Sequence, residues 1–150
     1  MKIQKANPDN AEKLTQIAMA AKRHWNYPER WMLLWKNALT ITPEFIVENE
    51  VYALTEKGEI IGFYALAAHG DAAKLEHLWV NPQNIGSGIG RKLFAHALER
   101  ASSLNAKIMT IDSDPNAEAF YKKMGAQRVG DIVTEIEGSE RILPLMRIVF

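Results

Sequence analysis

The spacing of hydrophobic and polar residues predicts seven β-strands along the chain. Short apolar or alternating runs bounded by Gly, Pro, Asn or Asp are typical of strands. Such runs occupy residues 1–5, 51–55, 59–68, 75–80, 107–112, 127–137 and 141–150. The turns Glu56-Lys57-Gly58 and Gly138-Ser139 are expected to join neighbouring strands as hairpins.

Apolar residues three and four positions apart predict the helices between these strands. Asn7-Pro8-Asp9 combines a capping residue, a proline and an acid, so the first helix should begin there and end before Asn26. Its apolar face would contain Leu14, Ile17, Ala18 and Ala21. Further helices are predicted over residues 28–39, from 42 onwards, over 90–104, and from 113 to a C-terminal cap at Gly125.

This order of elements predicts an α/β fold with a mixed central sheet of about six or seven strands and flanking helices. The chain has 150 residues, which suffices for one well-buried core, so we expect a single domain over residues 1–150. Hydrophobic residues make up 47% and charged residues 24% of the chain, as in ordinary globular proteins.

Composition argues against several classes of partner. Lys and Arg together number 18, as do Asp and Glu, so there is no net charge to favour nucleic acid or an anionic membrane surface. The chain has no cysteine, and its four histidines form no ligand pattern with the acids, so we expect no metal. The most apolar segment, residues 60–68, is too short to cross a bilayer, and the first residues lack a signal-peptide core. A cytoplasmic location is expected.

The most informative stretch runs from residue 75 to residue 94. A predicted strand ends at Val80, Asn81-Pro82 interrupts it, and a glycine loop of Gly86, Ser87, Gly88, Ile89 and Gly90 leads into a helix beside Arg91. A helix N-terminus has unpaired N–H groups, and glycines let a phosphate approach them closely. The stretch therefore predicts a phosphate-binding loop.

Two familiar phosphate motifs fit this loop poorly. A dinucleotide-binding fingerprint would require glycine at the position of Arg91. Asp112, at the end of the next strand, favours that interpretation, but too few residues follow for a doubly wound sheet. A P-loop would require glycine followed by lysine and a hydroxyl residue, which does not occur here.

The stretch instead resembles the pyrophosphate-binding motif of the GNAT superfamily of N-acetyltransferases. There, a strand ending V-x-P leads into Q/R-x-x-G-x-G/A and a helix. Val80-Asn81-Pro82 matches the strand exit, and Gly88 and Gly90 match the two glycines, with Ile85 in the place of the usual Gln or Arg. A shifted frame, with Gln83 as the glutamine and Gly86 and Gly88 as the glycines, is the alternative.

A second motif strengthens the resemblance. Residues 116–126, NAEAFYKKMGA, are similar to the family's later helix N-x-x-A-x-x-F-Y-x-K-x-G-F, with Ala126 in place of the usual phenylalanine. The resemblance covers residues 51–149 and implies acetyl-CoA as co-substrate and a sheet splayed at the strand ending Val80. It implies cofactor contacts from Leu78, Trp79, Val80, Ile85, Gly86, Ser87, Gly88, Ile89, Gly90, Arg91, Asn116 and Tyr121.

Catalytic roles follow from what acetyl transfer requires. The resemblance places the Tyr121 hydroxyl near the sulfur of CoA, where it would donate a hydrogen bond or a proton to the departing thiolate. Full proton transfer is uphill by roughly 2 kcal/mol for ordinary pKa values of tyrosine and thiol. Glu76, expected on the same strand face as Leu78 and Val80, is the leading base. Asp112, His77 and water remain alternatives.

The function implied is direct transfer of an acetyl group from acetyl-CoA to an amine, since the absence of cysteine excludes an acyl-cysteine intermediate. The acceptor would be a small-molecule or peptide amine, with no nucleic acid or membrane partner, and a homodimer is an open alternative. His24, Trp25 and Tyr27 are candidates for the acceptor wall, whereas Trp31 and Trp35 are expected in the core. A non-catalytic acyl-CoA sensor or regulatory domain is the alternative function.

Overall fold

A seven-stranded mixed sheet forms the centre of the protein, as a computed structural model of residues 1–150 shows. Its strands are β1 (Lys2–Lys5), β2 (Glu50–Glu56), β3 (Glu59–His69), β4 (Ala72–Val80), β5 (Ile108–Asp112), β6 (Gln127–Ile136) and β7 (Ser139–Val149). The order across the sheet is β1-β2-β3-β4-β5-β7-β6. Only β4 and β5 pair in parallel; every other pair is antiparallel. The predicted fold class is confirmed.

Six helices connect or cover these strands: α1 (Ala11–Arg23), α2 (Glu29–Leu34), α3 (Lys36–Leu39), α4 (Pro43–Glu48), α5 (Ile89–Ser103) and α6 (Glu118–Lys123). None of them is long and apolar enough to cross a lipid bilayer. The single helix predicted over residues 28–39 is wrong, because the chain turns at Trp35 and separates α2 from α3. Met32 and Leu39 are buried in the core, whereas Leu34 is exposed.

The core consists of two hydrophobic clusters, one on each face of the sheet. Neighbouring residues of β3 divide between them, since successive side chains of a strand point to opposite faces. Tyr64 and Leu66 pack in the cluster that contains α5 and α6. Phe63 and Ala65 pack in the cluster that contains α1 and α4. The central strands are therefore buried on both sides, which fixes their position.

The parallel pair β4–β5 separates soon after it begins. Only Ala72–Lys74 of β4 pairs with β5, through residues 108–110. Beyond that point β4 continues to Val80 with its second edge unpaired, while β5 stays paired with β7 over its full length. The predicted splay at the strand ending Val80 is confirmed, and it opens a gap in the middle of the sheet.

Gly62 of β3 allows the start of α5 to lie close to the sheet. A Cβ atom at this position would lie 3.0 Å from Leu93 Cδ1 and 3.1 Å from the Trp79 carbonyl oxygen. It would also lie 3.3 Å from Ile89 Cγ2. These distances are tighter than normal packing contacts, so a side chain here would push the first turns of α5 away from β4.

We therefore expect Gly62→Ala to lower the free energy of unfolding by about 1–3 kcal/mol, the usual effect of overpacking. Gly130→Ala is the matched control, since a Cβ there would lie 3.6 Å from Leu145 Cδ2, an ordinary contact. Urea denaturation of both variants measures the difference. Equal stabilities of the two variants would contradict the close approach.

Candidate active site

A cleft of about 720 Å³ lies where β4 and β5 separate. The free edge of β4 forms one wall, and the residues that follow β5 form the other. The glycine loop and the first turn of α5 lie along the cleft, as does the face of α6 that presents Tyr121. One concave site therefore combines an unpaired strand edge, a helix N-terminus and a tyrosine.

The glycine loop adopts the backbone conformation that an anion-binding turn needs. Gly86 and Gly88 have positive φ angles, 92° and 81°, which disfavour any residue with a side chain. Helix α5 begins at Ile89, with Gly88 as its N-cap residue, slightly earlier than the start predicted beside Arg91. The first N–H groups of α5 have no carbonyl within the helix to bond to, so they are free to bind an anion.

Nearly all of the predicted site residues line this cleft: Glu76, Leu78, Trp79, Val80, Ile85, Gly86, Gly88, Ile89, Gly90, Arg91, Asn116 and Tyr121. Ser87 does not line the cleft, and its hydroxyl donates to the Asn84 carbonyl at 2.5 Å. The residues that two separate sequence motifs single out therefore lie around a common space. Their roles remain predictions.

Aromatic packing holds the glycine loop and α6 together. A Cβ on Gly90 would lie 3.5 Å from the Phe120 ring, so the first turn of α5 lies directly against α6. Phe94 continues this contact, with ring centroids 6.1 Å from Phe120 and 5.7 Å from Tyr121. The helix N-terminus and the tyrosine thus keep a defined separation.

Tyr121 is buried, with 7% of its surface exposed, and it lines the cleft. Burial raises the pKa of its hydroxyl, and the negative charge of Asp114 raises it further. A tyrosine in this state keeps its proton and donates a hydrogen bond. Of the two roles considered for Tyr121, hydrogen-bond donation to a thiolate is favoured over full proton transfer.

Glu76 lies on a β-bulge, which changes the face it occupies. Pairing between β3 and β4 moves from Ala65 opposite His77 to Leu66 opposite Leu75, so Glu76 is the extra residue of β4. The prediction that Glu76 shares a face with Leu78 and Val80 is wrong. The extra residue shifts the alternation, so those two side chains pack in the same cluster as Leu75.

Glu76 is exposed rather than surrounded by bulky neighbours, and it shares one lysine with Asp112. The Lys74 Nζ atom lies 3.1 Å from Asp112 Oδ2 and 4.0 Å from Glu76 Oε1. Burial alone would lower the pKa of Lys74, but the hydrogen bond to Asp112 and the charges of both acids raise it. Two carboxylates and a charged lysine therefore lie where β4 and β5 begin to separate.

His77 lies on the opposite face from Leu78, with its ring 5.8 Å from Phe45 and 6.2 Å from Phe63. Its Nδ1 atom accepts a hydrogen bond from Trp79 Nε1 at 3.0 Å. Burial lowers the pKa of His77 from its usual 6.5 to about 4. A neutral imidazole with so low a pKa is a weak general base at neutral pH.

Four polar side chains beside the cleft form a group that was not predicted: Lys22, Tyr27, Asp114 and Arg141. We call this group the ionic cluster. Lys22 Nζ lies 2.5 Å from Asp114 Oδ2, and Arg141 Nη2 lies 2.9 Å from the Tyr27 hydroxyl. One signal was present in the sequence. Lys22 follows Ala18 by four positions and so lies on the apolar face of α1, where a lysine requires a buried partner.

The aromatic residues around α2 are distributed between the cleft and the core differently from the prediction. His24 and Trp25 line the cleft, as expected for an acceptor wall. Both tryptophans, Trp31 and Trp35, are half-buried. Trp35 packs against the core cluster that contains α1, whereas Trp31 joins neither cluster, so the core position expected for Trp31 is wrong. Both pack around Tyr27, with ring centroids 5.9 Å and 4.8 Å away, and thereby support the ionic cluster.

Comparisons with known proteins agree with this geometry. A family model described as an acetyltransferase (GNAT) domain matches residues 40–139. The peptidyl-lysine N-acetyltransferase YjaB of Salmonella typhimurium is 30% identical over 112 residues, which cover 73% of this chain and 71% of that protein.

Solved structures show the same fold. A GCN5-related N-acetyltransferase from Rhodopseudomonas palustris superimposes with a TM-score of 0.82 at 21% identity, covering 99% of this chain and 95% of that one. YncA from Salmonella typhimurium, a structure with acetyl-CoA, gives 0.73 at 18% identity, covering 99% and 93% of the two chains.

We expect His77 to make stability depend on pH. The unfolded histidine takes up a proton below pH 6.5, whereas the folded one stays neutral down to about pH 4. The unfolded state therefore binds more protons in this range, and stability falls as the pH drops from 6.5 to 4, by up to about 3 kcal/mol. Denaturant titrations at a series of pH values should show a flatter dependence for His77→Leu.

His69→Gln is the control for this measurement, because His69 is exposed at the end of β3. Its pH dependence should match that of the unmodified protein. If His77→Leu gave the same slope as the unmodified protein between pH 6.5 and pH 4, the buried neutral state of His77 would be disproved.

Proposed function

Because the chain belongs to the GNAT family of acetyltransferases, we propose that it transfers the acetyl group of acetyl-CoA directly to an amine. The observation that carries this proposal is the convergence of a free β4 edge, an anion-binding helix N-terminus and Tyr121 on one cleft. An extended cofactor with a pyrophosphate at one end and a thioester at the other suits that arrangement.

The cofactor would bind mainly through backbone groups. The pyrophosphate would accept hydrogen bonds from the amides of residues 85–91, where the positive charge of the α5 dipole assists. The pantetheine arm would pair with Leu78, Trp79 and Val80 as an added strand, since that edge of β4 lacks a partner. Asn116 and Tyr121 would complete the site near the thioester.

Chemistry requires a neutral amine, because an amine with a pKa near 10.4 is almost entirely protonated at pH 7. Glu76, Asp112 or a water molecule between them would accept the proton. The amine nitrogen then bonds to the acetyl carbon, the C–S bond breaks with its electron pair on sulfur, and the nitrogen loses its second proton to the thiolate or to water, which leaves a neutral amide. Tyr121 would donate a hydrogen bond to that sulfur as its negative charge develops.

Two features support a peptide or small-molecule amine as acceptor. The carboxylates where β4 and β5 begin to separate attract a cationic amine, and the relative YjaB is named a peptidyl-lysine N-acetyltransferase. A lysine side chain is therefore the first acceptor to test. The cytoplasmic location and the homodimer stay predictions.

The experiment that tests the function is thiol release from acetyl-CoA in the presence of a panel of amines and lysine-containing peptides. Turnover that depends on an amine, with the acetylated product identified by mass spectrometry, is the expected result. CoA binding without turnover for any acceptor would favour the alternative of a non-catalytic CoA sensor.

Gly88→Val should weaken CoA binding by about tenfold or more, the effect of losing a hydrogen bond to a charged group. The left-handed backbone at Gly88 would be strained by a β-branched residue, and the side chain would crowd the pyrophosphate. Calorimetric titration with CoA measures the affinity.

Gly58→Val separates these two effects. Gly58 has a φ of 79°, close to the 81° of Gly88, and neither position has another atom within 4 Å of an added Cβ. Both variants should lose about 1–3 kcal/mol of stability to backbone strain, but only Gly88→Val should lose affinity. Unchanged CoA affinity in a folded Gly88→Val protein would rule out the loop as the binding site.

Tyr121→Phe should reduce turnover about 10²–10³-fold while CoA affinity and stability change little. The reason is that the hydroxyl acts on charge that appears only as the thioester collapses. Turnover and CoA affinity are measured on the same preparation. Tyr52→Phe is the control, because Tyr52 stacks on Tyr64 outside the cleft. Preserved turnover with weakened affinity would make Tyr121 a packing residue.

A further inference from the structure

The ionic cluster contains two cations and one anion. Lys22 and Arg141 both face Asp114, and no other carboxylate lies within 4.0 Å of either cation. The side chain of Lys22 is only 11% exposed, that of Arg141 15% and that of Asp114 8%. Buried charges are stable only when they are paired, so one positive charge at this end of the cleft has no compensating group.

Asp114 is already fully engaged by its neighbours. Its Oδ1 atom accepts hydrogen bonds from the Asn116 backbone N–H at 2.8 Å and the Asn116 side-chain amide at 3.0 Å. Its Oδ2 atom accepts from Lys22 at 2.5 Å and from Arg141 at 3.4 Å. The Tyr27 hydroxyl lies 3.0 Å from both oxygens. Asp114 therefore has no capacity to neutralise the guanidinium further.

Arg141 keeps unused donors toward the cleft. Only its Nη2 atom makes hydrogen bonds, to the Tyr27 hydroxyl and to Asp114, while Nη1 and Nε bond to no protein group. Arg141 also lines the cleft. A free guanidinium N–H, at Nη1 or at Nε, can donate a charge-assisted hydrogen bond to one oxygen of a carboxylate.

Aromatic rings hold both cations in position before any ligand arrives. Lys22 Nζ lies 4.3 Å from the centre of the Trp35 ring, and the Arg141 guanidinium carbon lies 4.9 Å from it. The Tyr27 ring lies 5.1 Å from the first and 5.4 Å from the second. The site is therefore preorganised, and a ligand would not have to order these side chains.

We propose that Arg141, supported by Lys22, binds a carboxylate carried by the acceptor, so that the substrates are amines that also bear a carboxylate. This inference rests on the proposed function for the identity of the bound molecule as an acceptor. The ionic cluster lies near Tyr121, the residue proposed to act on the thioester. Asp114 precedes the short turn Pro115–Ala117, which leads directly into α6 and Tyr121, and Asp114 lines the same cleft as Tyr121. A carboxylate held there would leave the amine free to reach the thioester.

Binding to the CoA-saturated protein tests the inference without any turnover. Calorimetry would compare amines that differ by one carboxylate: lysine with cadaverine, phenylalanine with phenethylamine, and alanine with ethylamine. The amide-capped peptides Gly-Lys-Asp and Gly-Lys-Asn differ by one side-chain carboxylate. Comparing their affinities shows whether the site binds a carboxylate of a peptide as well as that of a free amino acid. We expect the carboxylate-bearing member of at least one pair to bind about 10- to 100-fold more tightly.

Variants assign the preference to Arg141. Arg141→Gln should abolish it, and Arg141→Lys should restore only part of it, because lysine keeps the charge but not the fixed N–H directions of the guanidinium. Arg147→Gln is the control, since Arg147 is exposed on the same strand and lies outside the cleft. Unchanged CoA affinity in each variant shows that the protein is folded.

The outcomes separate this inference from the proposed function. Equal affinity within every pair, or a preference that survives in Arg141→Gln, would overturn the inference even if amines are acetylated. A carboxylate preference that depends on Arg141, without thiol release from acetyl-CoA, would support the binding site and contradict the transferase.

Discussion

The early separation of β4 from β5 is the constraint on which the rest of the site depends. β5 remains paired with β7 along its whole length, so it follows β7 while β4 follows β3. The bulge at Glu76 adds local twist where the two strands have just parted. Unpaired backbone groups in the middle of a sheet are costly unless water or a ligand satisfies them. A ligand with alternating amide groups is a good partner for such an edge.

Close packing fixes the position of the α5 N-terminus relative to the sheet and to α6. Gly62 lets the first turns of α5 lie against β3 and β4, and the same turns lie beside the Phe120 ring, 3.5 Å from a Cβ at Gly90. The N-terminus of α5 is thereby held between the sheet and α6. These two contacts allow an anion-binding helix end and a buried tyrosine to share one cleft.

The local features could be predicted well from the sequence, because alternation and glycine spacing are visible in neighbouring residues. All seven strands of the sheet were predicted, the glycine loop and the tyrosine helix were located from their motifs, and the splay followed from the family resemblance. The bulge was missed because plain alternation was assumed along β4, whereas the extra residue puts Leu75 and Leu78, three positions apart, on one face and moves Glu76 to another. The ionic cluster was missed because its partners are distant in sequence, Lys22 and Asp114 by 92 positions. The break at Trp35 was missed because the apolar spacing continues across it.

The cleft has an excess negative charge at one place and an excess positive charge at another, and this separation affects which acceptors can bind. At one place Glu76 and Asp112 share a single cation, Lys74, which leaves one negative charge in excess. At the other Lys22 and Arg141 share Asp114, which leaves one positive charge in excess. Charges interact more strongly in a partly buried cleft than in water. A zwitterionic acceptor would therefore be oriented by both ends at once, with its carboxylate at Arg141 and its amine near Glu76 and Asp112. A simple diamine would be attracted at one end and repelled at the other.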